Sequence, residues 1–341
     1  MRFSEYFGAW IRAYYANIPL GRDFYTAVSA SKFFGGAIAK YILQSLELGA
    51  IRLPLNIIDL GANNANLLND ICAFLGTLGV GVVEHCNFIA VESSLHKSSA
   101  KSINFYKNFD ELKNANILQN RHNIFIANEF FDALPCEIID NGKMAFVKNN
   151  RIIFKSCNDE KILEICETFK IRKGEIPLSY DEFCKHIKGE KFMLIAFDYG
   201  DIAPRNDFSL RLFYKHKIQN FADMALDSQN PHILQNPQNP QNLAQNSQNL
   251  AHLFGKCDIT YNVPFFVLDR AFEAIGAKKI LSKRQDLALI EDFGILDLLQ
   301  NFHDSLDIAT NRNIYLRESN KIKTLLYELS PRFHTAIYKN F

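Results

Sequence analysis

Two carboxylates stand three residues apart in the stretch IANEFFDALP: Glu129 and Asp132, directly behind the apolar run NIFI. Other apolar runs end the same way. LNIIDL leads to Asp59 and Gly61, NFIAVE closes on Glu92, and Asn128 sits just ahead of Glu129. A fourth run, KFMLIAFDYGD, carries Asp198 near its end. In an open parallel sheet, ligands bind outside the carboxyl ends of the strands, and an acid after the second strand commonly holds two ribose hydroxyls. If these runs are strands, their polar ends form a nucleoside-binding row.

The loop IIDLGANNANLLNDI decides which nucleoside. A dinucleotide fingerprint, GxGxxG, needs glycines that let a pyrophosphate approach the backbone. Here only Gly61 is present, and Asn63 and Ala65 take the later positions. Glu92 also lies 31 residues after Gly61, beyond the roughly 20 of that fingerprint. A nucleoside without phosphates tolerates such side chains. Asparagine is the non-glycine residue that best adopts positive φ, so Asn63 can preserve the turn. S-adenosylmethionine is a ligand of this kind, and its sulfonium is at ease near carboxylates.

These residues need a frame. FFGGAIAKYILQSLEL repeats Phe34, Ile38, Ile42 and Leu46 four apart, one face of a helix. NLLNDICAFLGTL gives a second stripe through Leu67, Leu68, Ile71, Leu75 and Leu78. Leu268, Ala271, Phe272 and Ile275 make a third, with Gly276 as a C-cap, and KKILSKRQDLALIEDFG is expected to hold the last strands. Strands alternating with helical patterns predict an α/β fold around a largely parallel sheet.

Composition excludes several classes. Lys and Arg total 38 against 37 acids, so the chain lacks the basic excess of a nucleic-acid-coating protein. The basic run RLFYKHK, with His216, reads as a solvated face. Seven cysteines form no CxxC pair and no HExxH is present, so neither a disulfide framework nor a metal site is expected. No stretch reaches the roughly 18–20 apolar residues of a membrane span, and the N-terminus lacks a signal-peptide core, so a cytoplasmic location is expected. Residues 229–249 are dominated by Gln and Asn around three prolines, and the loop 228–251 is expected to be disordered.

Taken together and in order, GRDFYTAVSASKFFGGAIA, IIDLGANNANLLNDI, FIAVESS, IANEFFDALP, FDYGD, SLRLFYKHK and CDITYNVPFFVLDRAFEAIG resemble the MidA-type family of S-adenosylmethionine-dependent methyltransferases, bacterial relatives of a mitochondrial complex I assembly factor. The resemblance covers almost the whole chain outside the Gln/Asn tract and part of 136–190. It implies a Rossmann-like class I methyltransferase core, a seven-stranded mostly parallel sheet with helices on both faces, plus N-terminal and inserted helical additions. The expected layout is a helical cap over 1–50 and a methyltransferase domain over 51–341, with a substrate or cap insertion near 136–190. The family's loop, E-x-G-x-G-x-G, has Asp59, Gly61, Asn63 and Ala65 at its marked positions.

Carried over by position, the cofactor-binding residues are Asp23, Phe24, Tyr25 and Thr26 of the RDFYT segment, with Asp59, Gly61, Asn63, Glu92 and Asn128. The cofactor implied is S-adenosyl-L-methionine. The partner implied is a protein substrate, with arginine methylation of a respiratory complex I subunit as the reaction. A guanidinium is charged at neutral pH and is held by paired carboxylates through parallel hydrogen bonds. Glu129 and Asp132, with Asp198 as a third candidate, are expected to do this. Two other readings stand beside this one: a non-catalytic assembly or binding factor on a methyltransferase fold, suggested by the Asn/Ala loop, and a nucleotide-dependent oxidoreductase.

Overall fold

The computed structural model describes residues 1–17, 27–93, 102–214, 217–221, 250–306 and 308–341. The chain divides into two compact units. One takes Met1–Phe24, Phe131–Lys185 and Gly200–Ala271, and the other takes Tyr25–Phe130, His186–Tyr199 and Phe272–Phe341.

The second unit is built on seven strands: β1 (Leu55–Leu60), β2 (Cys86–Val91), β3 (Ile103–Tyr106), β4 (His122–Asn128), β5 (Phe192–Asp201), β6 (Lys278–Arg284) and β7 (Phe333–Lys339). Their order is β3-β2-β1-β4-β5-β7-β6. The first five run parallel, and β7 is antiparallel to both of its neighbours. This is the class I methyltransferase arrangement, with the sheet reversing direction outward from β1. β1 is buried at every position, as expected of a strand covered on both faces.

Two helices pack together against this sheet. Phe33–Glu47 buries Phe34, Ile38 and Ile42, and Asn66–Leu78 buries Leu67, Leu68, Ile71 and Leu75. Each of these apolar side chains contributes about 1.5–3 kcal/mol. Leu78, the last of the expected stripe, is 40% exposed because the helix ends there. Gly35 and Gly36 explain the closeness of the two helices: a Cβ on Gly35 would stand 2.6 Å from Asp70 Cβ, and one on Gly36 2.9 Å from the Phe74 ring.

At the amino ends of the central strands, three asparagines pair across the sheet. Asn56 Nδ2 donates to Asn123 Oδ1 at 2.7 Å, and Asn87 Nδ2 donates to Asn56 Oδ1 at 3.0 Å. Asn56 and Asn123 are fully buried, and Asn123 also donates to the carbonyls of Leu118 and Lys191. A satisfied polar ladder at one level fixes the register of β2, β1 and β4, since a slip by one residue would strand buried amides.

The sequence reading misplaced the end of the sheet. Only 278–284 of KKILSKRQDLALIEDFG is strand, Gln285–Glu291 is helix, and the last strand is 333–339. β3 was not foreseen either, being four residues long with one buried apolar side chain.

The first unit is more than a helical addition. Arg151–Ser156, Lys143–Lys148, Glu137–Asp140 and Lys173–Ile176 form, in that order, a four-stranded antiparallel sheet. Lys217–Asn220, Arg211–Tyr214 and Asp258–Thr260 form a three-stranded one. The turns Asn141-Gly142 and Asn149-Asn150 have positive φ at both residues, the form that suits a two-residue hairpin. Helix Phe3–Asn17 lays Phe3, Tyr6, Phe7 and Trp10 into this unit's core, and Trp10 Nε1 donates to Cys257 O at 2.8 Å. The Gln/Asn tract falls largely within 222–249, outside the described residues. No helix among the described residues is long and apolar enough to cross a membrane.

Candidate functional site

Register sets the level of the site. Leu60 stands opposite Val91 on one side and Ala127 on the other, so Gly61, Glu92 and Asn128 follow in one row across three adjacent strands. Asn128 is opposite Phe197, which places Glu129 and Asp198 in the next row. Neighbouring strands lie about 4.8 Å apart, so the backbone at Glu92 and at Asn128 is roughly 10 Å apart with Gly61 between.

The turn after β1 is left-handed at every second residue: φ is +72° at Gly61, +48° at Asn63 and +56° at Ala65. All three glycine positions of the E-x-G-x-G-x-G pattern thus keep the conformation that glycine serves. Gly61 N–H donates to Val91 O at 2.9 Å, and Ala65 N–H to Ala62 O at 2.7 Å. Asn63 N–H donates to Glu92 Oε2 at 2.9 Å. An alanine held left-handed costs about 1–2 kcal/mol. Its methyl, fully buried in this unit's apolar core, returns about 0.8 kcal/mol. Since the Ala65 methyl belongs to that core, it does not fill a ligand space above Gly61. A Cβ added at Gly61 would itself meet only Phe130 Cδ2, at 3.6 Å.

The electrostatics of the row are acidic. Asp59 is 4% exposed. Burial, and after it the negative charge of Glu92, pushes its carboxyl up to about 8. Glu92 is buried as well. Asn128 Nδ2 donates to Glu129 Oε1 at 3.4 Å, while its Oδ1 is buried with no hydrogen-bond partner among the described residues. A buried acceptor left open costs about 1–3 kcal/mol, which a ligand donor would recover. Glu129 is itself left-handed, φ +50°, with its N–H on Phe197 O at 2.9 Å. For a glutamate this is a strained conformation of the kind that gathers at functional sites. Asp198 is fully buried on β5, opposite His334 of β7.

One unit thus brings together Asp59, Gly61, Asn63, Glu92, Asn128, Glu129 and Asp198. Asp132 belongs to the other unit, buried in the short turn Phe131–Ala133. That turn is fastened through its carbonyls. Tyr261 OH lies 3.0 Å from both Phe131 O and Leu134 O, Tyr180 OH donates to Phe131 O at 3.3 Å, and Ser179 Oγ donates to Pro135 O at 2.7 Å. Burial pushes the Tyr261 phenol well above its usual range, so it stays a donor. Sequence reasoning missed this clamp: Tyr180 and Tyr261 lie 49 and 130 residues from Phe131, and no local spacing marks them. It also missed Phe130 as the neighbour of Gly61. Tyr199 packs edge-on against Phe333 at 5.0 Å. Asp23, Phe24, Tyr25, Thr26 and His216 lie outside the described residues.

The donor and acceptor set fits S-adenosylmethionine: buried carboxyl groups for a ligand carrying positive charge, an open amide oxygen, and an unobstructed glycine turn. Two solved structures share the fold. The first is a COG1565 superfamily member and "likely methyl transferase" from Burkholderia thailandensis, bound to S-adenosyl-homocysteine. It aligns with 99% of this chain and 87% of its own, at 16% identity and a TM-score of 0.70. A native crystal structure of a COG1565 superfamily protein from the same organism aligns over the same shares, at 17% identity and a TM-score of 0.70. Among curated proteins, none matches this sequence. Residues 37–282 match the model of a family described as "Putative S-adenosyl-L-methionine-dependent methyltransferase", and the chain belongs to that family.

Proposed function

We propose that this methyltransferase acts on a polypeptide and methylates an arginine of a respiratory complex I subunit, as the MidA-type resemblance implies. The observation that carries the reading is the row Gly61–Glu92–Asn128 with Glu129 and Asp198 behind it: a nucleoside level, then an acidic level. When bound, S-adenosylmethionine supplies an electrophilic methyl on a sulfonium. Glu92 would hold the ribose hydroxyls, and Asn128 Oδ1 would accept a ligand N–H. Gly61 and Asn63 would keep the turn clear of the adenosyl group, and Asp59 would offer a carboxyl to the ligand's positive charge.

Glu129 and Asp198 would grip the incoming guanidinium, which remains charged at neutral pH. Held by parallel hydrogen bonds, it presents one nitrogen in line with the methyl carbon. Glu129 and Asp198 would keep that nitrogen placed to receive the methyl that the cofactor would supply. The proton shed by the nitrogen passes to a carboxylate.

The deciding experiment is mass spectrometry of the host's NADH–quinone oxidoreductase subunits with and without this gene. Loss of a methylarginine on deletion, restored by the wild-type gene and not by Glu129→Gln, supports the proposal. An unchanged methylation pattern sinks it. Calorimetry with S-adenosylhomocysteine separates the non-catalytic reading, which expects no binding even at millimolar ligand.

A further inference from the structure

The first unit carries a hollow of about 300 Å³ where its four-stranded sheet meets a helix. Ile139 comes from the strand Glu137–Asp140, and helix Glu160–Phe169 contributes Ile162, Leu163 and Cys166 from neighbouring positions on its surface. Ile171 and Arg172 close the ring at the approach to Lys173–Ile176. Backbone hydrogen bonds tie these pieces together. Cys157 N–H donates to Gly142 O at 2.9 Å, Asn141 N–H to Arg172 O at 2.7 Å, and Ile171 N–H to Cys166 O at 2.9 Å. The frame of the hollow is therefore fixed backbone.

Its lining is apolar with a single charge. Ile139, Ile162 and Ile171 are buried, and Leu163 is exposed. Cys157 is buried and Cys166 half-buried. Burial, and after it the neighbouring Cys157, pushes the Cys166 thiol up to about 11, so it stays neutral and puts no negative charge in the hollow. Arg172 is the one charged residue of the lining. It is exposed and makes no ion pair among the described residues. Its backbone is held from both sides, with its N–H on Asn206 Oδ1 at 2.6 Å and its carbonyl under Asn141 N–H. The acids nearby are engaged or turned elsewhere. Asp159 caps the helix and pairs with Arg2, Asp140 accepts from Asn141 Nδ2 at 2.8 Å, and Glu164 and Glu167 are exposed and do not line the hollow.

We infer that this hollow binds a small aliphatic carboxylate, its hydrocarbon tail among Ile139, Ile162, Ile171 and Leu163 and its carboxylate on the Arg172 guanidinium. An apolar seat with one oriented charge is the make-up of a small-molecule site. The guanidinium fork matches the two oxygens of a carboxylate, and neutral thiols accept hydrocarbon as small apolar groups do. An apolar cavity of about 150 Å³ holds benzene, so this hollow has room for a chain of roughly six to eight carbons. The inference does not rest on the methyl-transfer reading, and binding is measured without methyl donor.

The probe is sodium octanoate, titrated into the full chain by calorimetry at low salt. Saturable one-to-one binding is expected. Hexanoate should bind roughly tenfold more weakly for its two missing methylenes, and octylamine, with the tail and the opposite charge, should not bind. Arg172→Glu should weaken octanoate at least about tenfold, with an unchanged melting temperature because the side chain is exposed. A second readout places the ligand on the wild-type chain. Octanoate at about ten times its Kd should slow alkylation of Cys166 by N-ethylmaleimide about tenfold, and leave Cys72 and Cys86, half-buried in the other unit, at their own rates. The inference is overturned by absence of binding, by equal binding of octylamine, by equal binding to Arg172→Glu, or by an unprotected Cys166.

Discussion

The backbone N–H of Asn63 donates to the carboxylate of Glu92 at 2.9 Å. The middle residue of the β1 turn is therefore held by the end of the neighbouring strand, and the conformation does not depend on the residue's own freedom. Asn63→Gly should leave S-adenosylhomocysteine affinity within about twofold, because the N–H is kept and φ stays allowed. Ala65→Gly should be near neutral in thermal stability, since relief of a left-handed alanine offsets the lost buried methyl. Ala65→Val should cost about 2 kcal/mol or more and abolish binding, because a β-branched residue resists positive φ. Thermal melts and calorimetry on the three variants check this.

Asp59 makes stability depend on pH in an unusual direction. Its carboxyl titrates at about 8 in the folded chain and near 3.9 when unfolded. Between these values the folded chain keeps a proton that the unfolded chain has lost. This contribution therefore falls as pH rises through the window and levels off above about 8. Asp59→Asn should remove that slope and raise the melting temperature at pH 8. Glu92→Gln should flatten it only partly, since burial is the larger cause of the shift. Melting curves from pH 5 to 9 read both.

The same carboxyl links cofactor binding to protons. A positively charged ligand beside Asp59 and Glu92 lowers the Asp59 pKa, so binding near pH 7 should release protons and tighten as pH rises toward 8. Calorimetry in two buffers of different ionisation enthalpy measures the release. Asp59→Asn should abolish it.

Glu129 trades stability for position. Its φ of +50° suits asparagine better than glutamate. Glu129→Asn should stabilise the fold by about 0.5–1 kcal/mol while methylation of the subunit found by mass spectrometry is lost. A gain in stability together with undiminished methylation would remove Glu129 from the chemistry.

Buried carbonyls depend on Tyr261. Tyr261→Phe leaves Leu134 O without its donor and weakens the hold on Phe131 O, which Tyr180 still serves. The cost should be about 1–3 kcal/mol. Asn56→Ala, which opens the amide ladder at the other end of the second unit's sheet, should cost about 2–4 kcal/mol by leaving Asn87 and Asn123 short of partners. Denaturant titration measures both.

Much of the core was legible because it is local. The stripes Phe34–Ile42 and Leu67–Leu75 are periodic, and the acids behind β1, β2 and β4 sit where strand ends must fall. What escaped is non-local or short. The partner of Asn63 is Glu92, and a hydrogen bond across strands leaves no spacing to read. β7 is separated from its neighbour β5 by well over a hundred residues, so its place in the sheet is set by pairing alone. The small antiparallel sheets were masked by brief strands, although Asn141-Gly142 is a hairpin signal in plain view.

β7 lies between β5 and β6, antiparallel to both. Until residues 333–339 have been synthesised and released by the ribosome, Lys278–Arg284 has nothing to pair with and one side of β5 is bare. Chains stalled before that point expose two sticky β edges to chaperones and to each other. The sheet closes only when this late segment slides into the gap.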